Sequence, residues 1–270
     1  MFTLNKMYRR VNVEEYLKFA TSLVYEAGKE AMDFLNKPTT IIEKENNGGW
    51  VTHIDMYVES KIIEAIKERY PCHNILSEET RNTTKVLKNG EPLWVIDPID
   101  GTTNLVKQKI NFTISIALCI NNKTVMGIVY DPSRDELFSA ILGKGAFLNS
   151  KKLTTCMKSI STHTLIAMNW NKSHSPFNKP VKAKGFRFYD CASLEMSYVA
   201  CGRLDAYVST PLHPWDYMAA KLICEEAECI VRNLNGNKIT FCENSDIIAA
   251  NYTFYNQIYS NTKKESESNV

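Results

Sequence analysis

No stretch of this 270-residue chain approaches the run of about 18 apolar residues that a membrane-spanning helix needs. The opening segment MFTLNKMYRRVNVEEYL has no continuous apolar core of the secretion-signal kind. Charge of either sign is scarcely in excess, with 32 Lys and Arg against 30 Asp and Glu, so no basic footprint offers itself to nucleic acid or to an anionic membrane. Eight cysteines (Cys72, Cys119, Cys156, Cys191, Cys201, Cys224, Cys229, Cys242) include no CxxC pair and no Cys–His spacing of the zinc type. They read as buried thiols of a reduced, cytoplasmic protein. Five histidines (His53, His73, His163, His174, His213) form no spaced pair, and no internal repeat or low-complexity block occurs.

What is there is a globular chain, 44% hydrophobic and long enough for a substantial core. Apolar and small residues at Leu17, Ala20, Val24, Ala27, Ala31 and Leu35 predict a first helix over 13–36, stopped before Pro38. A strand, an Asn-Asn-Gly-Gly turn and a return strand lead to Asp55, which taken alone reads as the N-cap of a second helix ending at Pro71. NILSEET predicts a short strand with Glu78 and Glu79 behind it. Strands follow in LWVI, NFTISIALCI and KTVMGIVYDP, then hairpin-like strands in DELFSAILGKGAFLNSKKL and a strand in STHTLIAMNW. ASLEMSYVACGRLDAYVS has a helical pattern, and HPWDYMAAKLICEEAECIV places Asp216 at the start of a last predicted helix.

The acids Asp55, Glu78, Asp97, Asp100 and Asp216 all sit where an element starts or stops. Four apolar residues, Leu93 to Ile96, run straight into Asp97 and Asp100 with Pro98 between them. Neighbouring carboxylates repel and raise one another's pKa unless something positive lies among them. Oxygen ligands of this kind suit a hard cation such as Mg²⁺, with the Ile99 carbonyl free as a further ligand. Gly101-Thr102-Thr103 then offers backbone N–H groups at a helix start, a cradle for phosphate.

WVIDPIDGTTNL resembles the first signature of the inositol monophosphatase family, and PWDYMAAKLICEEA is similar to its second. The likeness continues through GGWVTHID, ILSEE, DPSRDELFSAILGKGAFLN and VACGRLDAYV, covering roughly residues 13 to 250. The resemblance implies an α+β fold, a layered αβαβα sandwich of the inositol monophosphatase/fructose-1,6-bisphosphatase type. The expected division is two lobes, residues 1–150 with most metal ligands and 151–260 with Asp216 and substrate-pocket residues, and the polar tail, 261–270, reads as frayed from its composition. The resemblance further implies a lithium-sensitive, Mg²⁺-dependent phosphomonoesterase, commonly a homodimer, that uses two or three ions per site on small phosphorylated metabolites. The ligands would be Glu78, Asp97, the Ile99 carbonyl, Asp100 and Asp216. Asp55 and Thr102 would hold and deprotonate the attacking water, and the Gly101 and Thr102 backbone would contact the phosphate.

The chain departs from the family at Glu228-Cys229, where the second signature usually ends in two glycines. It departs again at Asp190 of the YDCAS segment (Asp190, Cys191, Ala192), where a family glycine approaches the substrate. Ser209 stands where inositol-cleaving members carry a glutamate that binds sugar hydroxyls. Both of the latter changes fall in the expected substrate pocket. Within the enzyme class the alternatives are NADP(H) phosphatase, fructose-1,6-bisphosphatase and 3′-phosphoadenosine 5′-phosphate phosphatase; outside it, a catalytically silent ligand-binding regulator.

Overall fold

The structure, a computed structural model, describes residues 12–35, 41–43, 50–80, 91–154, 163–169 and 183–263. The Asn-Asn-Gly-Gly turn, most of the polar excursion over 81–91, Cys156, the loop around Pro176 and Pro180 and the end of the tail lie outside the described residues. Six helices and fourteen strands are described: α1 (Val13–Phe34), β1 (Ile41–Glu43), β2 (Trp50–Thr52), α2 (His53–Arg69), β3 (Asn74–Ser77), β4 (Leu93–Asp100), α3 (Thr102–Lys107), β5 (Thr113–Ile120), β6 (Lys123–Asp131), β7 (Glu136–Ile141), β8 (Gly145–Leu148), β9 (Lys151–Lys152), β10 (Leu165–Asn169), β11 (Gly185–Arg187), α4 (Ala192–Ala200), β12 (Ala206–Leu212), α5 (Pro214–Glu226), β13 (Ile230–Arg232), β14 (Ser245–Ala250) and α6 (Tyr252–Lys263).

Strands β3 to β9 form a seven-stranded sheet in chain order, with β3 and β4 parallel and every later pair antiparallel. A five-stranded sheet has the order β11-β10-β12-β14-β13, and β1 pairs with β2 as a hairpin. Strand alternation divides the apolar side chains among three cores. Trp94, Ile96, Ile116, Leu118 and Ile128 face α1 and α2, meeting Ala20, Val24, Ala27, Val58, Ile62 and Ile66. Their neighbours Leu93, Val95, Ala117, Cys119 and Val129 face the other way, onto α4 and α5. Those two helices are covered in turn by Tyr207, Ile247 and Ala249 of the smaller sheet. Ala206, Val208, Ile248 and Ala250 point outward to Phe254 and Tyr255 of α6. The layers therefore run α, β, α, β, α, as the resemblance implied.

Two expectations are corrected. The pattern over ASLEMSYVACGRLDAYVS is helical only as far as Ala200; after the left-handed Gly202 the chain turns and Ala206–Leu212 is a strand. Every residue of α4 is buried, so its pattern carries no polar face to separate helix from strand. Asp55 is not the N-cap of α2: Thr52 is, and Asp55 occupies the third helical position.

The central helix layer lies very close to the larger sheet. A Cβ at Gly127 of β6 would stand 2.7 Å from the Ala219 carbonyl oxygen and 3.0 Å from its Cα, so only glycine lets α5 settle there. We expect Gly127→Val to destabilise the fold by about 1–3 kcal/mol, the usual cost of overpacking a dense core. Chemical denaturation checks this, and an unchanged midpoint would mean that α5 packs more loosely than described.

Candidate active site

Asp97 and Asp100 belong to β4 itself. Asp97 pairs with Ser115 and Asp100 with Thr113, so Pro98 and Ile99 together stand opposite the single residue Ile114. The irregularity has a direct consequence for the two acids. Residues three apart on a regular strand point to opposite faces; one extra residue restores them to the same face. Pro98, which has no N–H for the ladder, is tolerated at such a bulge. The Asp97 carboxylate then accepts the Ile99 amide at 3.1 Å.

Each remaining acid arrives from a different element. Glu78 follows β3, and its amide donates to the Ile96 carbonyl of β4 at 3.3 Å. The turn that carries it is held by Glu59, a fully buried residue of α2 whose carboxylate accepts the Glu79 and Thr80 amides, both at 2.9 Å. Asp216 is the third residue of α5, and its Oδ2 accepts the His213 amide at 2.8 Å. Asp55 uses one oxygen to close the helix cap, accepting the Thr52 amide at 2.8 Å as well as the Thr52 hydroxyl. Its other oxygen accepts the Thr102 hydroxyl at 2.7 Å. Asp55 therefore closes the capping box with one oxygen and holds Thr102 with the other, since a carboxylate has lone pairs enough for both.

Asp100 is fixed from α4. The Ser193 amide and hydroxyl both donate to its Oδ2, at 2.7 and 2.6 Å, and the Ser193 hydroxyl also lies 2.6 Å from that of Thr113. One carboxylate oxygen is thus taken by protein and the other remains for the site. Burial pushes the Asp100 carboxyl up to about 6 despite these bonds. Asp97 is raised well above the ordinary carboxylate range, first by burial and then by Glu78, Asp100 and Asp216; it is also hydrogen-bonded to Glu78. Burial raises Asp55 too, against the pull of its threonine donors.

Glu78, Asp97, Asp100 and Asp216 are therefore close enough to act on one another. Among the described residues no three His, Cys, Asp or Glu side chains already close around one point as a finished metal cage. The acids pair among themselves instead, Asp97 with Glu78. Carboxylates crowded together, Asp97 fully buried and the others partly so, with a backbone carbonyl between two of them, form a donor set that fits a hard divalent cation.

Of the expected phosphate and substrate residues, Gly101, Thr102 and Cys191 adjoin this group. Gly101 has φ +92°, and a Cβ there would meet the Asn111 carbonyl at 3.0 Å and the Cys191 Cβ at 3.3 Å. Thr102 begins α3, its hydroxyl also lying 3.2 Å from the Ile99 carbonyl. Cys191 donates its thiol to the Asp100 carbonyl at 3.3 Å and Ala192 opens α4. Asp190 takes φ +55°, a left-handed conformation that glycine adopts freely and Asp tolerates. Ser209 is fully buried on β12 and turns its hydroxyl to the Thr210 carbonyl at 2.7 Å.

Several supporting residues escaped the sequence reading. Thr52 and Asp55 have the spacing of a capping box, and Glu59 shares its helix face with Ile62, Ile63 and Ile66, so both left a signal. Ser193 and Asn104 left none, because their partners are distant in sequence.

The raised pKa values carry a stability consequence. A carboxyl whose folded pKa exceeds its unfolded value of about 3.9 is at home in the fold while protonated, and that contribution is lost as pH rises through the folded pKa. In protein stripped of divalent cations, we expect Asp97→Asn to raise the melting temperature at pH 7.5, with the gain shrinking as pH falls towards the unfolded value of about 4. Thermal melts of both proteins across that range check this; a variant that melts lower at pH 7.5 would contradict it.

Comparison with known proteins follows the same lines. The family model described as "Inositol monophosphatase family" matches residues 12–267. The chain is 34% identical over 256 residues to "Inositol-1-monophosphatase" of Bacillus subtilis, covering 92% of this chain and 96% of that protein. It is 32% identical over 231 residues to "Nus factor SuhB" of Escherichia coli, covering 82% and 85%. Crystal structures of SaIMPase-II superpose with TM-scores of 0.79 with inositol monophosphate bound and 0.78 with 2′AMP bound. The identities are 30% and 31%, and the coverage of this chain 94% and 92%, of those chains 95% and 93%. The chain belongs to the inositol monophosphatase family and is an enzyme of the phosphoric monoester hydrolase class.

Proposed function

We propose that the protein is a Mg²⁺-dependent phosphomonoesterase that hydrolyses small phosphorylated metabolites with water as the nucleophile. The observation that supports this most strongly is the gathering of Glu78, Asp97, Asp100 and Asp216 beside the Asp55–Thr102 hydrogen bond. These four acids and the Ile99 carbonyl would hold two or three Mg²⁺ ions. When bound, the ions supply charge stabilisation for the transferring phosphoryl group and a lowered pKa for water.

The protein's own groups do the rest. Thr102 donates its proton to Asp55, which leaves a lone pair on Thr102 Oγ1 to accept a hydrogen from the attacking water. As that proton moves to Thr102 Oγ1, the threonine's own proton passes to Asp55 Oδ1. Burial makes Asp55 a better proton acceptor than an exposed aspartate. The Gly101 and Thr102 amides bind phosphate oxygens, and the side of the pocket formed by Asp190, Cys191 and Ala192 meets the rest of the substrate. Retention of all five acids speaks for an active enzyme over a silent regulator. The working state is a cytoplasmic homodimer, and lithium inhibits by taking a cation position.

Preference among substrates is broad. Ser209 offers no charged acceptor for sugar hydroxyls, and the Asp190 charge disfavours a second phosphate nearby. Inositol 1-phosphate is accepted without strong preference over NADP⁺ or other small sugar and nucleotide monophosphates. The two ligands seen on SaIMPase-II, inositol monophosphate and 2′AMP, are consistent with such breadth in a relative.

Asp97→Asn should lower kcat by about 10²-fold or more, the scale of losing one group that stabilises transition-state charge. Thr102→Ala should lower kcat with KM little changed, because its contact matters most in the transition state. Steady-state kinetics with Mg²⁺ on inositol 1-phosphate, NADP⁺, fructose 1,6-bisphosphate and 3′-phosphoadenosine 5′-phosphate test both. Near wild-type turnover by Asp97→Asn would sink the metal reading. A preference of about 10²-fold or more for inositol 1-phosphate over all the others would overturn the proposed breadth.

A further inference from the structure

Behind the substrate side of the pocket lies a buried carboxylate that the proposed chemistry does not use. Glu195 is fully buried in the first turns of α4. Its Oε1 accepts the Tyr189 amide at 2.9 Å, whereas its Oε2 has no hydrogen-bond partner among the described residues. A carboxylate is an expensive group to bury with one oxygen left unpartnered, so its place calls for an explanation.

The bond it makes falls on a segment with a left-handed residue. Tyr189, Asp190 and Cys191 form a short strap ahead of α4, with Asp190 left-handed at φ +55°. The strap is fastened at several points. Asn104 of α3 donates to the Tyr189 carbonyl at 2.5 Å and to the Asn111 carbonyl at 2.9 Å. The Cys191 thiol donates to the Asp100 carbonyl, and the Cys191 carbonyl accepts the Glu195 amide at 3.0 Å. Asn104 and Cys191 tie the strap to the Gly101 loop, and Glu195 is the side chain that holds its Tyr189 amide from the helix. Aspartate tolerates a left-handed conformation without preferring it, so the bonds to its neighbours help to hold it there.

We propose that Glu195 is a specificity-determining positioning residue: by holding the Tyr189 amide it fixes the strap so that Asp190 is presented to the substrate side of the pocket. This rests on the phosphatase reading above and on Asp190 acting within it. Burial also raises the Glu195 carboxyl to about 8, so a neutral side chain with an acceptor oxygen reproduces what it supplies near neutral pH. Glu195→Gln keeps that oxygen and the volume; Glu195→Ala removes both and leaves the Tyr189 amide without its partner.

The test compares wild type, Glu195→Gln, Glu195→Ala, Asp190→Gly and the Glu195→Ala/Asp190→Gly double variant. The readouts are kcat/KM on inositol 1-phosphate and on fructose 1,6-bisphosphate with Mg²⁺, together with amide hydrogen exchange at Tyr189. Glu195→Ala should change the ratio of the two kcat/KM values by about tenfold, through KM more than kcat, and should lose protection at the Tyr189 amide. Glu195→Gln should keep both near wild type. In the Asp190→Gly background, Glu195→Ala should move the ratio little further, because the residue through which it acts is gone. If Glu195→Ala fails to fold, loss of Tyr189 protection or a shifted ratio in Glu195→Gln would overturn the proposal. Equal, additive effects in both backgrounds would overturn it too. Wild-type protein inactive on both phosphate esters would instead defeat the phosphatase reading itself.

Discussion

The constraint on which the site depends is that like charges are being asked to share a partly buried pocket. Asp97 is fully buried, and the groups that act on it most strongly after burial itself are three further acids. In water, carboxylates a few ångströms apart repel weakly; in a protein interior the same pair is far more costly, and protons or cations must relieve it. Nearly every local feature around the site either brings these acids together or holds one of their oxygens still. The bulge at Pro98 and Ile99 turns Asp97 and Asp100 to one face. Ser193 occupies one oxygen of Asp100, Thr52 and Thr102 divide those of Asp55, and the His213 amide holds Asp216.

The layered fold is what makes such crowding sustainable. Glu78 and Asp97 directly follow Ser77 and Ile96, the last pair of the parallel strands β3 and β4, whereas Asp216 comes from the helix layer pressed onto the sheet at Gly127. Ser193 reaches Asp100 from α4 in that same layer. Asp97, Asp100 and Asp216 are therefore set by elements whose positions are fixed by the apolar cores, and the turn that carries Glu78 is held by Glu59. Rigid elements hold catalytic groups more closely than loops do. The same rigidity keeps the repulsion in place when no cation relieves it, so stability and activity pull in opposite directions here.

Much of this was legible in the sequence, for identifiable reasons. The first helix announced itself by its repeat, and Asp97, Asp100 and Asp216 stood out because acids directly after an apolar run or at a helix start have no structural need to be there. The order of motifs implied the five layers. Three things were less visible. The strand Ala206–Leu212 was absorbed into the preceding helical pattern, because a wholly buried helix and a buried strand are both continuous apolar runs. Asp55 looked like a cap because it sits one turn from a true cap, Thr52, to which it is bonded. The bulge that aligns Asp97 with Asp100 depends on β5, a partner about fifteen residues away, and pairing register is not written in one strand alone. Ser193 and Glu195 were invisible for the same reason: their partners, Asp100 and the Tyr189–Cys191 strap, are assembled only in the fold.

If burial and mutual repulsion hold Asp97 and Asp100 partly protonated until a cation arrives, binding the cation must expel protons. Calorimetric titration of metal-free protein with Mg²⁺ at pH 6.5, repeated in buffers of different ionisation enthalpy, measures that release directly. The account predicts binding accompanied by proton release, diminishing towards pH 8 and suppressed in Asp97→Asn. Mg²⁺ binding with the same heat in every buffer, or no binding at all, would contradict it.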